Sequence, residues 1–557
     1  MRLSAVIRGT ALAGARGLSS EAAGQQPRAP RRRVPADAPD LRGFMIRDRQ
    51  ELAKARKWSA EKRGQKAALR DKWNDAGAEK SYYLETYGCQ MNEADSQVVE
   101  SVLSRAGLVP SPAPEGADVV LLNTCAVRDN AEAKVWSRLN QLRGLRNRGG
   151  KRDALVGVLG CMAERLKDEL LDHETLVNFI AGPDAYRDLP RLMQAAGSGQ
   201  QAMNVQLSLE ETYADIVPVR PQIEGISAYI SIMRGCNNMC SFCVVPFTRG
   251  RERSRTLPSI EDEVRALSDQ GYKEVTLLGQ NVNSYWDQRS EGGDGYRAAP
   301  GFSNVYKLRE GGGARFVDLL DAVSRVDPQM RVRFTSPHPK DFPPEVLQLI
   351  GERSNICNQL HMPAQSGSSS VLERMRRGYT RESFLSLIEE ARTIIPNVAI
   401  STDMISGFCG ETEEEHRDSV TLMEKVGFDQ AFMFSYSERS KTHASHTMRD
   451  DVSDEDKLRR LQEVIDAFRG TATQAAEKFV GTEQVVLLEG ESKRSTKESP
   501  QLAGRSDANK VCVWEPKEVP GLDGGPVSPK PGDYVRVKVL SAGTGTLYVE
   551  PLGVTRL

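Results

Sequence analysis

The 557-residue chain lacks any uninterrupted apolar run near the ~18 residues that a membrane-spanning helix needs, so no helical span is expected. It lacks net charge as well: 75 Lys and Arg face 76 Asp and Glu, for a formal −1, and the whole molecule is no polycation. Cysteine is sparse, nine in the chain, and a protein this long does not depend on disulfides for a core. What remains is ordinary globular composition, 39% hydrophobic and 27% charged, which excludes wholesale disorder. The length predicts three or four domains.

Acid is missing locally too. Residues 1–20 hold Arg2, Arg8 and Arg16 and no Asp or Glu. Arg8 interrupts the apolar run that a secretory signal requires. Such a segment reads as a mitochondrial transit peptide, ending by about residue 35, with a basic linker over 36–80. Residues 1–80 carry 19 Lys/Arg against 9 Asp/Glu, so the rest of the chain is acidic.

Six of the nine cysteines form two sets of three. Cys89, Cys125 and Cys161 are each 36 residues apart. Each follows a strand-like run (82–87, 118–122, 154–159) and precedes a helix-like one, from Glu93, Asp129 and Ala163. Alternation of this kind predicts βαβ units, a parallel sheet and thiols in the loops at the C-terminal strand ends, where ligands bind in such sheets. A structural zinc wants four ligands, and this set has three. Three thiolates on an iron–sulfur cubane leave one iron open. Buried structural cysteines are the bland alternative, against which the threefold strand–Cys–helix repeat argues.

The second set, Cys236, Cys240 and Cys243, has the spacing Cys-x3-Cys-x2-Cys after a strand candidate at 229–233. No fourth Cys or His lies near it. One short loop of this spacing can wrap three irons of a [4Fe–4S] cluster and leave the fourth for a small molecule.

This loop, with Phe242 before its last Cys, resembles the radical S-adenosylmethionine (SAM) superfamily, in which the open iron chelates SAM and electron transfer cleaves it to an adenosyl radical. Together with the three upstream cysteines it resembles the methylthiotransferases over residues 80–555. The supporting stretches are 87–92 (YGCQMN), 123–125 (NTC), 234–250, 278–285, 336–339 (SPHP) and 361–368. Gly279-Gln280-Asn281-Val282-Asn283 is similar to the tRNA-modifying, MiaB-type branch. Two departures stand out. Glu438–Thr442 replaces the usual Arg-Pro-Gly-Thr, and the Gly/Arg-rich stretch 290–315 reads as an inserted surface loop.

The resemblance implies an α/β architecture of three parts. These are a doubly wound parallel sheet (81–200), a partial (β/α)6 radical SAM barrel (222–476) and a small C-terminal β-barrel of the TRAM type (479–555). The last reads independently as short strands between Gly/Pro turns. It implies two [4Fe–4S] clusters, held by Cys89, Cys125 and Cys161 and by Cys236, Cys240 and Cys243, with SAM as cofactor. Gln280, Ser336, Gln365 and Asp403 fall at strand ends as candidate cofactor contacts. Arg249, Arg251, Arg253 and Arg255 alternate, so an extended segment would put all four on one side, where tRNA phosphates or plain solvent could meet them. The TRAM-like segment 481–557 carries 10 basic and 10 acidic residues, no electrostatic footprint of its own.

The implied reaction converts N6-isopentenyladenosine at position 37 of mitochondrial tRNA to its 2-methylthio form, with tRNA and an electron donor as partners. Two other readings stay open: a methylthiotransferase for threonylcarbamoyladenosine or protein, and a binding protein of the cyclin-dependent kinase 5 activator, which no residue shows. Cys357, Cys409 and Cys512 read as bystanders.

Overall fold

A computed structural model describes residues 79–126, 129–147, 154–173, 176–220, 226–290, 301–303 and 311–557. The transit-peptide segment and all but the last two residues of the basic linker lie outside these.

β1 (Lys80–Thr86), β2 (Leu108–Pro110), β3 (Val119–Thr124), β4 (Leu155–Gly160), β5 (Phe179–Ala181) and β6 (Ala202–Asn204) form one parallel sheet in the order 2-1-3-4-5-6. Continuous apolar runs such as 119–122 follow from burial on both faces. Val119 and Leu121 enter one core with Val99 and Leu103 of helix Gln90–Arg105. Val120 and Leu122 enter the other with Val135 and Leu139 of helix Asp129–Asn147. The sheet is therefore doubly wound. It extends to Asn204 and its core to Ile216, past the boundary at 200 expected from the sequence.

The next ten strands are β7 (Ser227–Ser231), β8 (Met233–Arg234), β9 (Arg253–Ser254), β10 (Glu274–Leu278), β11 (Trp286–Asp287), β12 (Ala314–Arg315), β13 (Arg331–Phe334), β14 (Gln359–His361), β15 (Ala399–Ser406) and β16 (Gln430–Ser435). Parallel pairing runs 7-10-13 and 14-15-16. Val332 joins the halves, donating to the Asn355 carbonyl at 2.8 Å and accepting from Cys357 at 3.0 Å. The result is the six-stranded partial barrel. Three of the helices on its outer side start on side-chain caps, from Thr380, Thr412 and Ser453. Thr412 and Glu415 form a capping box ahead of Glu413–Val426, which ends at Gly427 with φ +59°. β14 is absent from the sequence reading, because three residues with one fully buried side chain carry no period.

The inserted stretch is more than a surface excursion. β11 pairs antiparallel with β12, which pins its two ends together. Phe302 is buried in the barrel core, 5.0 Å from the Tyr379 ring.

β17 (Glu483–Glu491), β18 (Leu502–Ser506), β19 (Val511–Trp514), β20 (Val519–Pro520), β21 (Pro526–Val527), β22 (Tyr534–Ala542) and β23 (Thr546–Thr555) follow. Five of them close a barrel, 17-18-19-23-22. It docks on the N-terminal ends of the radical-barrel strands. Arg331 donates to the carbonyls of Arg505 (2.8 Å) and Val485 (2.6 Å), and Arg333 to those of Ser506 (2.8 Å) and Asp507 (3.0 Å). Strand β18 thus lies at the seam. No helix among the described residues is long and apolar enough to cross a membrane.

Candidate functional site

Cys89, Cys125 and Cys161 follow β1, β3 and β4, three neighbours in the sheet. The strand order reverses between β1 and β3, the crevice where open α/β sheets take ligands. Buried amides fasten the loops there. Asn92 donates to the Thr124 carbonyl (3.0 Å), and Asn123 donates to the Asn92 carbonyl and the Ser96 hydroxyl (both 2.9 Å). Thr124 donates to the Leu159 carbonyl at 2.6 Å, tying the second loop to the third. Gly88 has φ +132°, and a Cβ there would lie 2.6 Å from Cβ of Cys125. None of the three is in a disulfide. A hydrogen bond from Cys125 and the positive Arg249 guanidinium hold the Cys89 thiol down to about 6, against burial. Burial raises the Cys161 thiol.

The second loop begins at Gly235, where φ is +76° and a Cβ would stand 2.1 Å from the Arg251 carbonyl oxygen. Its N–H donates to Oε1 of Gln280 at 2.5 Å. Asn238 N–H donates to Sγ of Cys236 (3.4 Å), and Arg377 donates to Sγ of Cys240 (3.4 Å) and to the Pro363 carbonyl (2.9 Å). Ser241 is clamped between the Met375 and Arg374 carbonyls (3.0 and 2.8 Å). Burial pushes the Cys243 thiol up to about 12 and Cys236 well above its ordinary range. These two thiols are protonated in the apo-protein, and iron binding would release their protons.

The chain matches the model described as "Uncharacterized protein family UPF0004" over residues 81–182 and that of the Radical SAM superfamily over 230–423. It is 55% identical over 482 residues to the mitochondrial tRNA methylthiotransferase CDK5RAP1 of Mus musculus, covering 85% of this chain and 81% of that protein. It is 49% identical over 465 residues to the tRNA-2-methylthio-N(6)-dimethylallyladenosine synthase of Chloroherpeton thalassium, covering 84% and 94%. The chain belongs to the radical SAM methylthiotransferase family. SAM and [4Fe–4S] clusters are that family's cofactors. The donor set of this methylthiotransferase fits them: two sets of three cysteines held in no disulfide, four of the six buried and Cys89 and Cys243 half-buried, with Arg249 donating to Sγ of Cys161.

Around the barrel rim, Gln280 and Ser336 follow β10 and β13, and Gln365 follows β14. Gln365 N–H donates to the carbonyl of Asp403, within β15 (2.9 Å). Ser336 and Gln365 are not glycines, yet hold φ +59° and +70°. Such strain, roughly 1–3 kcal/mol each, persists where the surroundings impose it and clusters at ligand clamps. The oxygen of Gln280 accepts from Gly235 N–H, so this side chain holds the cluster loop. Asp403 stands 3.2 Å from Nε2 of His361, whose Nδ1 meets the Ser401 hydroxyl at 3.0 Å.

The arginine run corrects the sequence reading. Arg249 is 3% exposed and paired with Asp95, and Arg253 is buried against Asp184 (both 2.7–2.8 Å). Arg255 is bound to Glu263 at 2.6 Å. Alternation does not leave four arginines on one solvent-facing side, because acidic partners from other segments fold over three of them. Arg251 alone of the four is exposed. The sequence reading also missed Asp95 and Arg377 as site residues. Asp95 lies three positions beyond the quoted 87–92 motif, but its partners are distant in the chain.

One consequence is measurable in the apo-protein. Cys89 is half-buried and its depressed thiol is more than half thiolate above pH 6, while Cys236 and Cys243 stay protonated. Mass-spectrometric mapping of iodoacetamide labelling at pH 7 is expected to find Cys89 modified well before Cys236 or Cys243. Its rate should fall as pH drops through about 6. Equal rates for the three would refute the depressed thiol.

Proposed function

We propose that the protein converts N6-isopentenyladenosine at position 37 of mitochondrial tRNA to the 2-methylthio form. Cys236, Cys240 and Cys243 hold the cluster that binds SAM, and Cys89, Cys125 and Cys161 hold a second cluster. The observation that carries this reading is the buried Arg249, six residues past Cys243, which pairs with Asp95 on the helix behind Cys89 and donates to Sγ of Cys161. When bound, the cofactors supply radical chemistry suited to an aromatic C2–H that ordinary bases leave untouched.

The chain's own residues bind, orient and exclude water. Gln280 and Arg377 fix the loop of Cys236–Cys243. Ser336 and Gln365, just beyond β13 and β14, and Asp403, within β15, line the face on which the cofactor is to rest. Phe432 pairs in register with Asp403 and meets the His361 ring edge-on, 6.0 Å between centroids. Phe432 and Phe434 are 41% and 43% exposed on β16. Such faces suit a base splayed from a single-stranded loop, stacking being worth ~1–3 kcal/mol per base. Arg251 remains the phosphate contact of the arginine run. The acid-free residues 1–20 and the names of the relatives support a mitochondrial site of action.

Nucleoside mass spectrometry of mitochondrial and cytosolic tRNA, with and without the gene, tests this. Loss of the 2-methylthio form from mitochondria with accumulation of N6-isopentenyladenosine is expected. Unchanged mitochondrial nucleosides would refute it, and loss of the threonylcarbamoyl derivative instead would reassign the substrate.

A further inference from the structure

Asp95 stands at the centre of a buried charged cluster, itself with no exposed surface. It lies on helix Gln90–Arg105, which starts directly after Cys89. One carboxylate oxygen is 2.7 Å from Nη1 of Arg234, the other 2.7 Å from Nη1 of Arg249. Arg234 sits two residues before Cys236 and is sandwiched against the Tyr213 ring, 4.6 Å from its centroid. Arg249 turns its Nε to Sγ of Cys161 at 3.0 Å. The Tyr186 hydroxyl donates to Asp95, and Arg253 donates to the Arg249 carbonyl at 3.0 Å. A single carboxylate therefore ties together the helix behind Cys89, the strand that leads into Cys236 and the arginine on Cys161.

We propose that Arg249 is a positioning residue for the second cluster. It tunes that cluster through an N–H···S hydrogen bond to Cys161 and, with Asp95 and Arg234, locks the separation of the two cluster sites. The inference rests on the two-cluster reading above. Three features of the residues favour it. A guanidinium is planar and offers donors in a fixed fork, so one arginine can serve a thiolate and a carboxylate in fixed geometry at once; a lysine cannot. Hydrogen bonds to ligating sulfurs are among the determinants of a cluster's reduction potential, since they favour the more negative, reduced state. Burial strengthens each of these interactions and makes every member dependent on the others.

The test is redox titration and electron paramagnetic resonance of the reconstituted full-length protein. Wild type carrying about eight irons supports the two-cluster reading, and about four would overturn that reading on its own. The inference is then judged in a C236A/C240A/C243A background, which isolates the second cluster. There R249Q is expected to shift its midpoint potential to more negative values with iron content unchanged. R249K, which keeps the charge but not the fork, is expected to lie between. In the complementary C89A/C125A/C161A background, R249Q should leave the potential where it was. With both clusters present and reduced, D95N and R249Q should broaden their mutual spin–spin splitting. Identical potentials in wild type, R249K and R249Q would overturn the tuning role. Equal shifts in both backgrounds would overturn it as well, since that is the mark of general loosening. Unchanged splitting in D95N and R249Q would overturn the locking role.

Discussion

A chain with Cys236, Cys240 and Cys243 all changed to Ala is expected to form no detectable methylthiolated nucleoside while keeping about half of the iron of wild type. The loss should exceed the ~10–100-fold that removal of an outer hydrogen-bond partner of a metal ligand costs, because the ligands themselves are gone. The retained iron follows from the separation of the two sites. Cys89, Cys125 and Cys161 are fastened by Asn92, Asn123 and Thr124, whose side-chain hydrogen bonds run to one another, to Ser96 and to Leu159. A C89A/C125A/C161A chain is expected to show the reverse: half the iron, cleavage of SAM preserved and methylthio product absent. Iron assay, SAM cleavage and nucleoside analysis on the two chains separate these outcomes. Simultaneous loss of all iron from either chain would refute two independent sites.

Arg333→Ala is expected to lower stability by about 3–5 kcal/mol, the cost of breaking a buried ion pair from one side. Arg333 is 7% exposed and holds Glu274 at 2.7 Å while donating to two carbonyls of the C-terminal barrel. Its removal leaves a buried carboxylate and two buried carbonyls without that partner. The denaturant midpoint should fall, and limited proteolysis should release the C-terminal barrel early. Arg536→Ala is the control. Its pair with Glu483 is 57% exposed on both sides, so a change of at most ~1 kcal/mol is expected. Equal midpoints for R333A and R536A would sink the view that this seam holds the two barrels together.

The sequence made most of the frame legible. The strand–Cys–helix repeat locates all three loops of the first set. The reason is physical: period and burial are local signals, and long parallel strands broadcast them. What stayed hidden depends on partners far along the chain. Arg249 looks like a surface residue until Asp95 and Cys161, 154 and 88 positions away, close over it. The hold of Gln280 on the cluster loop shows only through Gly235, 45 positions away. Phe302 sits in a Gly-rich stretch that carries no period, and only packing against Tyr379 reveals it as core. Strand β18 hid for another reason: five residues with two small side chains, Ala503 and Gly504, give no apolar alternation.

The loops of Cys89, Cys125 and Cys161 leave three adjacent strands whose ladders pair Thr86 with Asn123 and Thr124 with Gly160. Their lateral spacing is therefore set by the interstrand distance of ~4.8 Å, and not by the segments that connect them. In evolutionary terms the connections have room to drift: outside helix Asp129–Asn147, whose Val135 and Leu139 pack in the core, a change of length need not move a thiol relative to its neighbours. Register enjoys no such freedom. A slip of one residue along a strand would displace a cysteine by ~3.3 Å and turn its strand inside out. Descendants of this chain can vary in length between their cysteines far more readily than in the short runs that precede them.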